Sequence, residues 1–232
     1  MKNIIFPPDT KCLVCGRDIR AGGRVLCDAC ELEENGEPVC ARCGRSMDNA
    51  ADYCETCKAG PHSFDVARSV FRFEGRARAL MLGFKFGGEC WLGGIFARFL
   101  AEIYQKMSME TDIVVAVPSA PDRVRERGYD HVAILADGLS AHINVDVCKF
   151  LYKTASTPPS YARGKAERLV QIKGTIGSDA RINIKGKRIL LIDDILTTCA
   201  TADECARILK RCGAPEVAVL TVAAVPQRAF LY

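Results

Sequence analysis

The sequence predicts an α/β protein in which a mostly parallel sheet, with helices on both faces, follows a small cysteine-rich head. Three observations predict this fold. Strand-like and helix-like patterns alternate from residue 63 onward, as they do where helices join parallel strands. Four Cys-x-x-Cys pairs precede residue 58, and 232 residues suffice for an ordinary domain plus a small one. We therefore expect a head over residues 1–62 and a body over residues 63–232.

Composition excludes several classes of protein. With 49% hydrophobic and 26% charged residues, the chain has enough apolar surface to form a core and is not mainly disordered. Its longest apolar run, residues 217–225, is too short to span a bilayer, and the start of the chain lacks the apolar part of a signal peptide. These features predict a cytoplasmic protein without membrane insertion, in which the thirteen cysteines do not form disulfides.

Charge divides at the same boundary as the cysteines. Residues 1–62 hold eight Lys/Arg and ten Asp/Glu residues, so the remainder of a chain with net charge +4 carries +6. This excess is mild, and by itself it neither requires nor excludes a polyanionic partner.

The head contains four pairs of cysteines at the spacing of metal-binding turns. Each pair offers two thiolates to one metal, and two pairs complete a tetrahedral shell. The pairs are Cys12/Cys15, Cys27/Cys30, Cys40/Cys43 and Cys54/Cys57. The gaps within the two halves suit short hairpins, so each half resembles a zinc ribbon. Alternatives are buried unliganded cysteines, an iron–sulfur cluster and a thioredoxin-like redox pair; the repeated spacing favours two structural Zn²⁺ ions with sequential shells.

Apolar runs, and apolar residues at three- and four-residue steps, locate the elements of the body. The predicted strands are residues 66–73, 112–118, 147–152, 188–192 and 217–224, and the predicted helices are residues 76–86, 91–107, 129–143 and 201–212. Ligands of parallel sheets bind beyond the carboxyl ends of the strands, so residues that follow strands are the candidates for function.

Two acids, Asp193 and Asp194, follow the predicted strand at 188–192 and precede a hydroxyl-rich turn and a helix. This arrangement suits a phosphorylated sugar, because N–H groups at a helix start bind phosphate and carboxylates accept hydrogen bonds from ribose hydroxyls. One alternative is a simple helix cap beside solvated acids. Another is the Mg²⁺-binding strand of a nucleotide hydrolase, which requires a G-x-x-x-x-G-K-[ST] loop that the sequence lacks.

The run from Ile189 to Thr201 resembles the phosphoribosyl pyrophosphate (PRPP) motif of type I phosphoribosyltransferases. It has four apolar residues, two acids, two apolar residues and Thr-Thr-x-Ala-Thr. The whole chain resembles the ComF competence protein family, which joins a zinc ribbon head to such a domain. Three further segments carry the resemblance: residues 82–88, residues 117–129 and a mobile loop at residues 157–168. The resemblance implies a type I phosphoribosyltransferase-like body with hood elements at about residues 63–110.

The same resemblance implies a PRPP-binding protein of DNA uptake, in which Mg²⁺ accompanies PRPP. It also implies single-stranded DNA as a ligand, a helicase-type partner in the import machinery and, if turnover occurs, a glycosyl (pentosyl) transfer. The implied catalytic residues are Asp193 and Asp194. The implied PRPP-binding residues are these acids with Thr197, Thr198, Cys199, Ala200, Thr201, Arg123, Arg125 and Arg127. Lys85, Arg123 and Arg125 are candidates for nucleic-acid contact, the alternative being solvated surface charges.

The sequence departs from the family pattern at two places that bear on function. Cys199 stands where glycine is usual; if this position needs a positive φ, cysteine strains it and its side chain crowds the phosphate. Asp130-His131 stands where Asn-Gln is usual, and we expect His131, like the other two histidines, to be structural or solvated. Two other functions therefore stay open: an active nucleobase phosphoribosyltransferase in salvage and a non-enzymatic PRPP-sensing regulator.

Overall fold

The computed structural model describes residues 11–12, 15–19, 26–30, 32, 34–107, 109–154, 172 and 174–227. In the head, the described elements are a 3-10 turn at Asp28–Cys30 and helix α1 at Glu55–Lys58. The described helices of the body are α2 (Gly75–Phe86), α3 (Leu92–Lys106), α4 (Pro121–Arg127), α5 (His131–Ile143) and α6 (Ala200–Arg211). Its described strands are β1 (Val66–Arg72), β2 (Ile113–Ala116), β3 (Leu151–Lys153), β4 (Ile176–Ser178), β5 (Ile189–Leu196) and β6 (Val217–Ala224).

A four-stranded parallel sheet forms the centre of the body, in the order β1-β6-β5-β2. The central strand β6 is buried along its whole length, as expected of a strand covered on both faces. The chain crosses the sheet in opposite directions from β1 to β2 and from β5 to β6. Because such crossovers are right-handed, α3 and α6 lie on opposite faces, and α5 packs beside α3. The predicted parallel sheet with helices on both faces is confirmed.

The structure corrects the predicted elements at three places. Strand β5 continues through the acid pair to Leu196, because Asp193, Ile195 and Leu196 remain paired with β6. The segment between Pro118 and Arg127, for which no helix or strand was predicted, contains helix α4, which starts at a proline and ends where Gly128 adopts φ +86°.

The predicted strand at residues 147–152 is divided. Val147 bridges to Val114 at the edge of the main sheet, whereas β3 pairs in antiparallel fashion with β4, a strand that was not predicted. The predicted mobile loop at residues 157–168 lies outside the described residues. No helix in the described part of the chain is long and apolar enough to cross a membrane.

The head consists of a first ribbon (residues 11–30) and a second ribbon (residues 39–58) whose first turns repeat one geometry. In each, the N–H of the first cysteine donates to a carbonyl five residues later, at 2.7 Å for Cys12 and 2.9 Å for Cys40. Gly16 and Gly44 then take φ of +70° and +65°, which only glycine adopts without strain. The repeated turn brings the two cysteines of a pair to one side.

The second ribbon lies against β1, the edge strand of the main sheet. The N–H of Ala67 donates to the carbonyl of Arg42 at 2.7 Å, and the N–H of Asn35, in the segment that precedes this ribbon, donates to the carbonyl of Val70 at 2.9 Å. Gly44 is packed so closely that a β-carbon there would lie 2.4 Å from the carbonyl oxygen of Ala67. The second ribbon and the body are therefore in direct backbone contact.

Candidate functional site

The eight cysteines of the head form two compact groups of four thiols. One group is Cys12, Cys15, Cys27 and Cys30, and the other is Cys40, Cys43, Cys54 and Cys57. Within each group all four sulfur atoms lie within 4.8 Å of one another. Sulfur atoms of different pairs are 3.6 Å apart in both groups, close to the ~3.8 Å edge of a tetrahedron with Zn–S bonds of ~2.3 Å.

These groups fit two structural zinc sites with sequential shells, as the spacing predicted. Four thiolates saturate a tetrahedral ion and leave no position for substrate. The second group is fully buried, whereas Cys15 of the first group is exposed. A head of this size buries little apolar surface, so bound zinc would supply much of its folding free energy.

The acid pair lies at the carboxyl end of β5, next to the centre of the sheet. Asp194 is 5% exposed, and its Oδ1 accepts a hydrogen bond from the N–H of Ile195 at 2.6 Å. Asp193 is half-buried, and its Oδ1 accepts from the N–H of Asp194 at 2.9 Å. The structure therefore places both predicted acids side by side at the sheet edge where parallel sheets bind ligands.

Two side chains from distant elements converge on Asp194. Nζ of Lys85, at the end of α2, lies 2.8 Å from Oδ2 of Asp194. Nε2 of His131, in the first turn of α5, lies 2.5 Å from the same oxygen. Asp130 caps α5 by accepting hydrogen bonds from the N–H groups of Val132 and Ala133, which fixes the first turn that carries His131. Lys85 and His131 thus belong to the site of the acid pair.

Arg127 extends this network to a third side chain. Its Nη1 donates to Nδ1 of His131, and its Nε donates to the carbonyl of Lys85. Because a guanidinium cannot accept, Nδ1 of His131 is the acceptor and Nε2 carries the proton that is donated to Asp194. His131 is buried and not solvated, and its two hydrogen bonds link Arg127 to Asp194. The departure from Asn-Gln at residues 130–131 was the sequence signal that marked it.

Charge and burial shift the pKa values of the two carboxyl groups in opposite directions. Burial, together with the negative charge of Asp194, raises the pKa of Asp193 well above its usual range. Burial acts in the same direction on Asp194, but the charge of Lys85 and the hydrogen bond from His131 outweigh it and hold the pKa of Asp194 below its usual range. Lys153 of β3 also acts on Asp193 through its charge, a contribution that the sequence did not reveal.

The hydroxyl-rich turn at residues 197–201 connects β5 to α6 beside the acid pair. Thr197 is exposed, whereas Thr198, Cys199 and Ala200 are buried. Cys199 precedes the first residue of α6 and takes φ +67°, so the position does require the left-handed backbone that glycine adopts freely. The residue is 2% exposed, and its thiol is directed towards Cys43 of the second ribbon. We call residues 197–201 the phosphate loop, after the role that the family resemblance implies for them.

Not all of the predicted PRPP-binding residues lie beside the acid pair. Arg123 pairs with Glu126 at 2.8 Å, and Arg125 pairs with Asp122, both along the exposed side of α4. Only the third arginine of that segment, Arg127, reaches the network of the acid pair. The assignment of Arg123 and Arg125 to pyrophosphate therefore stays a prediction without a contact in this structure.

An exposed aromatic ring adjoins the site. Phe86 follows Lys85 at the end of α2 and is 70% exposed, and the guanidinium of Arg127 lies 5.8 Å from its ring centre. Trp91, which precedes α3, is also exposed, at 48%. A large exposed ring beside cationic side chains is unusual on a protein surface and offers a stacking surface for a planar ligand.

Comparisons with known proteins agree with this architecture. Residues 1–58 match the double zinc ribbon domain family, and residues 94–231 match the phosphoribosyl transferase domain family. The fold and site thus define a protein that joins a double zinc ribbon to a type I phosphoribosyltransferase-like domain. Competence protein ComFC of Streptococcus pneumoniae is 30% identical over 224 residues, which cover 89% of this chain and 96% of that protein. The chain belongs to the ComF competence protein family.

More distant relatives extend the comparison. Competence protein F of Haemophilus influenzae is 22% identical over 227 residues, covering 90% of this chain and 94% of that protein. DNA utilization protein YhgH of Escherichia coli K12 is 22% identical over 218 residues, with the same two coverages of 90% and 94%. Among solved structures, a purine phosphoribosyltransferase from Pyrococcus horikoshii aligns with a TM-score of 0.38 and 20% identity, over 58% of this chain and 74% of that one.

Proposed function

We propose that the acid pair and the phosphate loop bind PRPP together with Mg²⁺, and that this PRPP-binding protein acts in DNA uptake. One observation carries the proposal: two adjacent carboxylates lie near the carboxyl end of a central parallel strand, and the turn after that strand places the left-handed residue Cys199 immediately before α6. A ribose held by carboxylates and a 5′-phosphate held by N–H groups at a helix start need these two features side by side.

Different residues of the candidate site would bind different parts of PRPP. Asp193 and Asp194 would accept hydrogen bonds from the ribose hydroxyls, and the backbone N–H groups and hydroxyls of Thr197 to Thr201 would hold the 5′-phosphate. Among the described residues Asp193 forms no ion pair, which leaves its carboxylate available to water molecules on a Mg²⁺ ion. Mg²⁺ would neutralise charge on the pyrophosphate of PRPP.

The cations of the network suit the leaving group of a phosphoribosyl transfer. When the C1–O bond of PRPP breaks, negative charge grows on the departing pyrophosphate, and fixed cations or N–H groups stabilise it. Lys85 and Arg127 lie beside the acid pair and would supply that charge, with Arg123 and Arg125 as further candidates. In some purine-type phosphoribosyltransferases an acid at the position of Thr197 assists the nucleobase. This chain has threonine there, so the acceptor of a transfer stays unassigned.

The DNA part of the proposal is supported by the relatives and by the surface of the body. Two relatives are named competence proteins and one a DNA utilization protein. The body carries a net charge of +6, and Phe86 offers an exposed ring next to Arg127. Basic surface with aromatic rings binds single strands by charge and base stacking. We infer a cytoplasmic protein that contacts incoming single-stranded DNA and a helicase-type partner, with the head ending and the body starting near residue 62.

Calorimetry with PRPP, with and without Mg²⁺, tests the pocket. Purified protein should bind PRPP, and the affinity should rise with Mg²⁺. A parallel assay offers each common nucleobase and measures PRPP consumption. Turnover of one base would mean that the protein is a salvage phosphoribosyltransferase and not only a PRPP-binding protein. Failure to bind PRPP under any condition would refute the proposed function.

A further inference from the structure

Cys199 belongs to two structural units at once. Its backbone forms part of the phosphate loop, with φ +67°, and its side chain is buried at 2% exposure. The Cys199 thiol interacts with the thiol of Cys43, one of the four cysteines of the second zinc site. A side chain at this φ strains the backbone, so the contact with Cys43 is what cysteine offers here that glycine does not.

Arg45 provides a second link between the same two units. Its guanidinium donates a hydrogen bond to the carbonyl of Thr197, and the side chain is 1% exposed, so this link lies inside the protein. Arg45 and Cys43 flank Gly44, whose close approach to Ala67 holds this turn of the second ribbon against the sheet. The turn therefore contacts the phosphate loop at two points, on either side of Thr198.

We propose that the second zinc centre and the phosphate loop form one coupled unit, in which Cys199 is a positioning residue that hydrogen-bonds to the zinc-binding thiolate of Cys43. The biochemical meaning of this coupling rests on the proposed binding of PRPP at the loop. Zinc binding requires deprotonated thiols, so Cys43 is the acceptor and the Cys199 thiol is the donor. Donors to a zinc ligand stabilise the metal site and orient the ligand.

The coupling has a reciprocal consequence. If zinc at the second site favours the bound conformation of the phosphate loop, then a ligand on the loop must favour zinc retention by the same factor. The first zinc site, which the described contacts do not link to the loop, serves as an internal reference. The two zinc ions of one chain are therefore expected to respond differently to changes at Cys199.

The test uses the full zinc-loaded chain and measures zinc transfer to a chromogenic chelator. Cys199→Ala removes the donor, whereas Cys199→Ser keeps a donor, and both retain a β-carbon at the same positive φ. We expect Cys199→Ala to speed the loss of one zinc ion by about tenfold, and Cys199→Ser to restore most of the original rate. A Cys12→Ser background, which lacks the first site, assigns the affected ion. Equal rates for wild type and Cys199→Ala, or acceleration of both ions together, would overturn the coupling.

The second arm adds PRPP with Mg²⁺ and repeats the zinc-transfer measurement. PRPP should slow the loss of the second zinc ion only, and Arg45→Met should weaken this protection. Calorimetry on the same preparation shows whether PRPP binds at all. Binding without protection overturns the coupling. Absence of PRPP binding refutes the proposed function. In that case the zinc-transfer rates of the Cys199→Ala and Cys199→Ser variants still test the coupling without PRPP.

Discussion

The ammonium group of Lys85 lies 2.8 Å from the carboxylate of Asp194, and the two side chains are 22% and 8% exposed. Lys85 comes from α2 and Asp194 from β5 at the centre of the sheet, so this ion pair joins these two elements at the candidate site. It also gives Asp194 a positive neighbour before any ligand arrives. The charge of the pocket therefore depends on Lys85 as much as on the acids.

The first prediction concerns this lysine. Lys85→Met should weaken PRPP binding most at low Mg²⁺, because Asp194 then repels the phosphates, and the deficit should shrink as Mg²⁺ rises. Calorimetry at two Mg²⁺ concentrations measures the effect. Arg98→Met, which alters an exposed pair with Glu102 on α3, is the control. A deficit that is equal at both concentrations would argue against a charge role for Lys85.

The second prediction concerns the acid pair. The double variant Asp193→Asn with Asp194→Asn should lose Mg²⁺-dependent PRPP binding while its melting temperature stays close to that of wild type. Loss of like-charge repulsion and loss of the Lys85 ion pair act in opposite directions on stability. Asp137→Asn, on the exposed side of α5, is the matched control. Unchanged PRPP affinity in the double variant would refute the assignment.

The third prediction is a pH dependence. The pKa of Asp193 is raised in the folded state, so the folded chain binds a proton on this carboxylate more tightly than the unfolded chain does. The resulting penalty is absent below the unfolded pKa of about 4, grows as pH rises towards the folded pKa, and is constant above it.

Asp193→Asn should therefore melt about 2–4 °C higher than wild type at pH 8, the shift that about 1 kcal/mol produces in a chain of this size. The gain should diminish at pH 5, where the native carboxyl is largely protonated. Thermal melts at both pH values measure it, with Asp137→Asn as the reference. A gain in melting temperature that is larger at pH 5 than at pH 8 would contradict a raised pKa of Asp193 in the folded state.

The fourth prediction separates the two ribbons. Cys12→Ser and Cys40→Ser should each lower the zinc content from two ions per chain to one. Cys12→Ser should leave PRPP affinity nearly intact, whereas Cys40→Ser should reduce it by about tenfold or more, since among the described residues of the head it is the second ribbon that contacts the phosphate loop. Metal analysis and calorimetry on both variants provide the measurement. Equal loss of PRPP binding would mean that the ribbons act as a single unit.

The fifth prediction distinguishes charge from stacking in DNA binding. Replacing Arg123 and Arg125 by Ala should reduce the slope of log affinity against log salt by about 1.4 for single strands, at about 0.7 per phosphate contact. Phe86→Ala should instead weaken binding by about 1–3 kcal/mol and leave the slope unchanged. Fluorescence anisotropy over a salt series resolves the two effects. DNA binding that does not depend on salt, or no DNA binding at low salt, would refute the proposed role of DNA as a ligand.

Local sequence patterns were sufficient for the features that depend on neighbouring residues. Cys-x-x-Cys spacing predicted two sequential zinc sites, because a turn of that length brings both thiols to one side. An apolar run followed by Asp193 and Asp194 predicted a buried strand with acids at its end. Helix α4 was missed because its exposed, charged sequence has no apolar periodicity, although Pro121 and Gly128 marked its ends.

Contacts between distant segments were not predictable from such patterns. Lys85, His131 and Asp194 meet only because α2 and α5 pack over the same end of β5, and no local rule specifies that approach. The direction of the Cys199 side chain likewise depends on where the second ribbon docks. Sequence reasoning identified position 199 as unusual and anticipated positive φ, but it expected the side chain to face the phosphate rather than a zinc ligand.

The docking of the second ribbon on β1 also affects how the protein avoids self-association. An edge strand presents unpaired N–H and C=O groups that can recruit a strand from another molecule. Here Asn35 and Arg42 hydrogen-bond to β1 and cover part of that edge. Because zinc holds the second ribbon together, the metal also shields the sheet from intermolecular pairing. We therefore expect removal of zinc to expose more of β1 and to favour pairing between molecules along this strand.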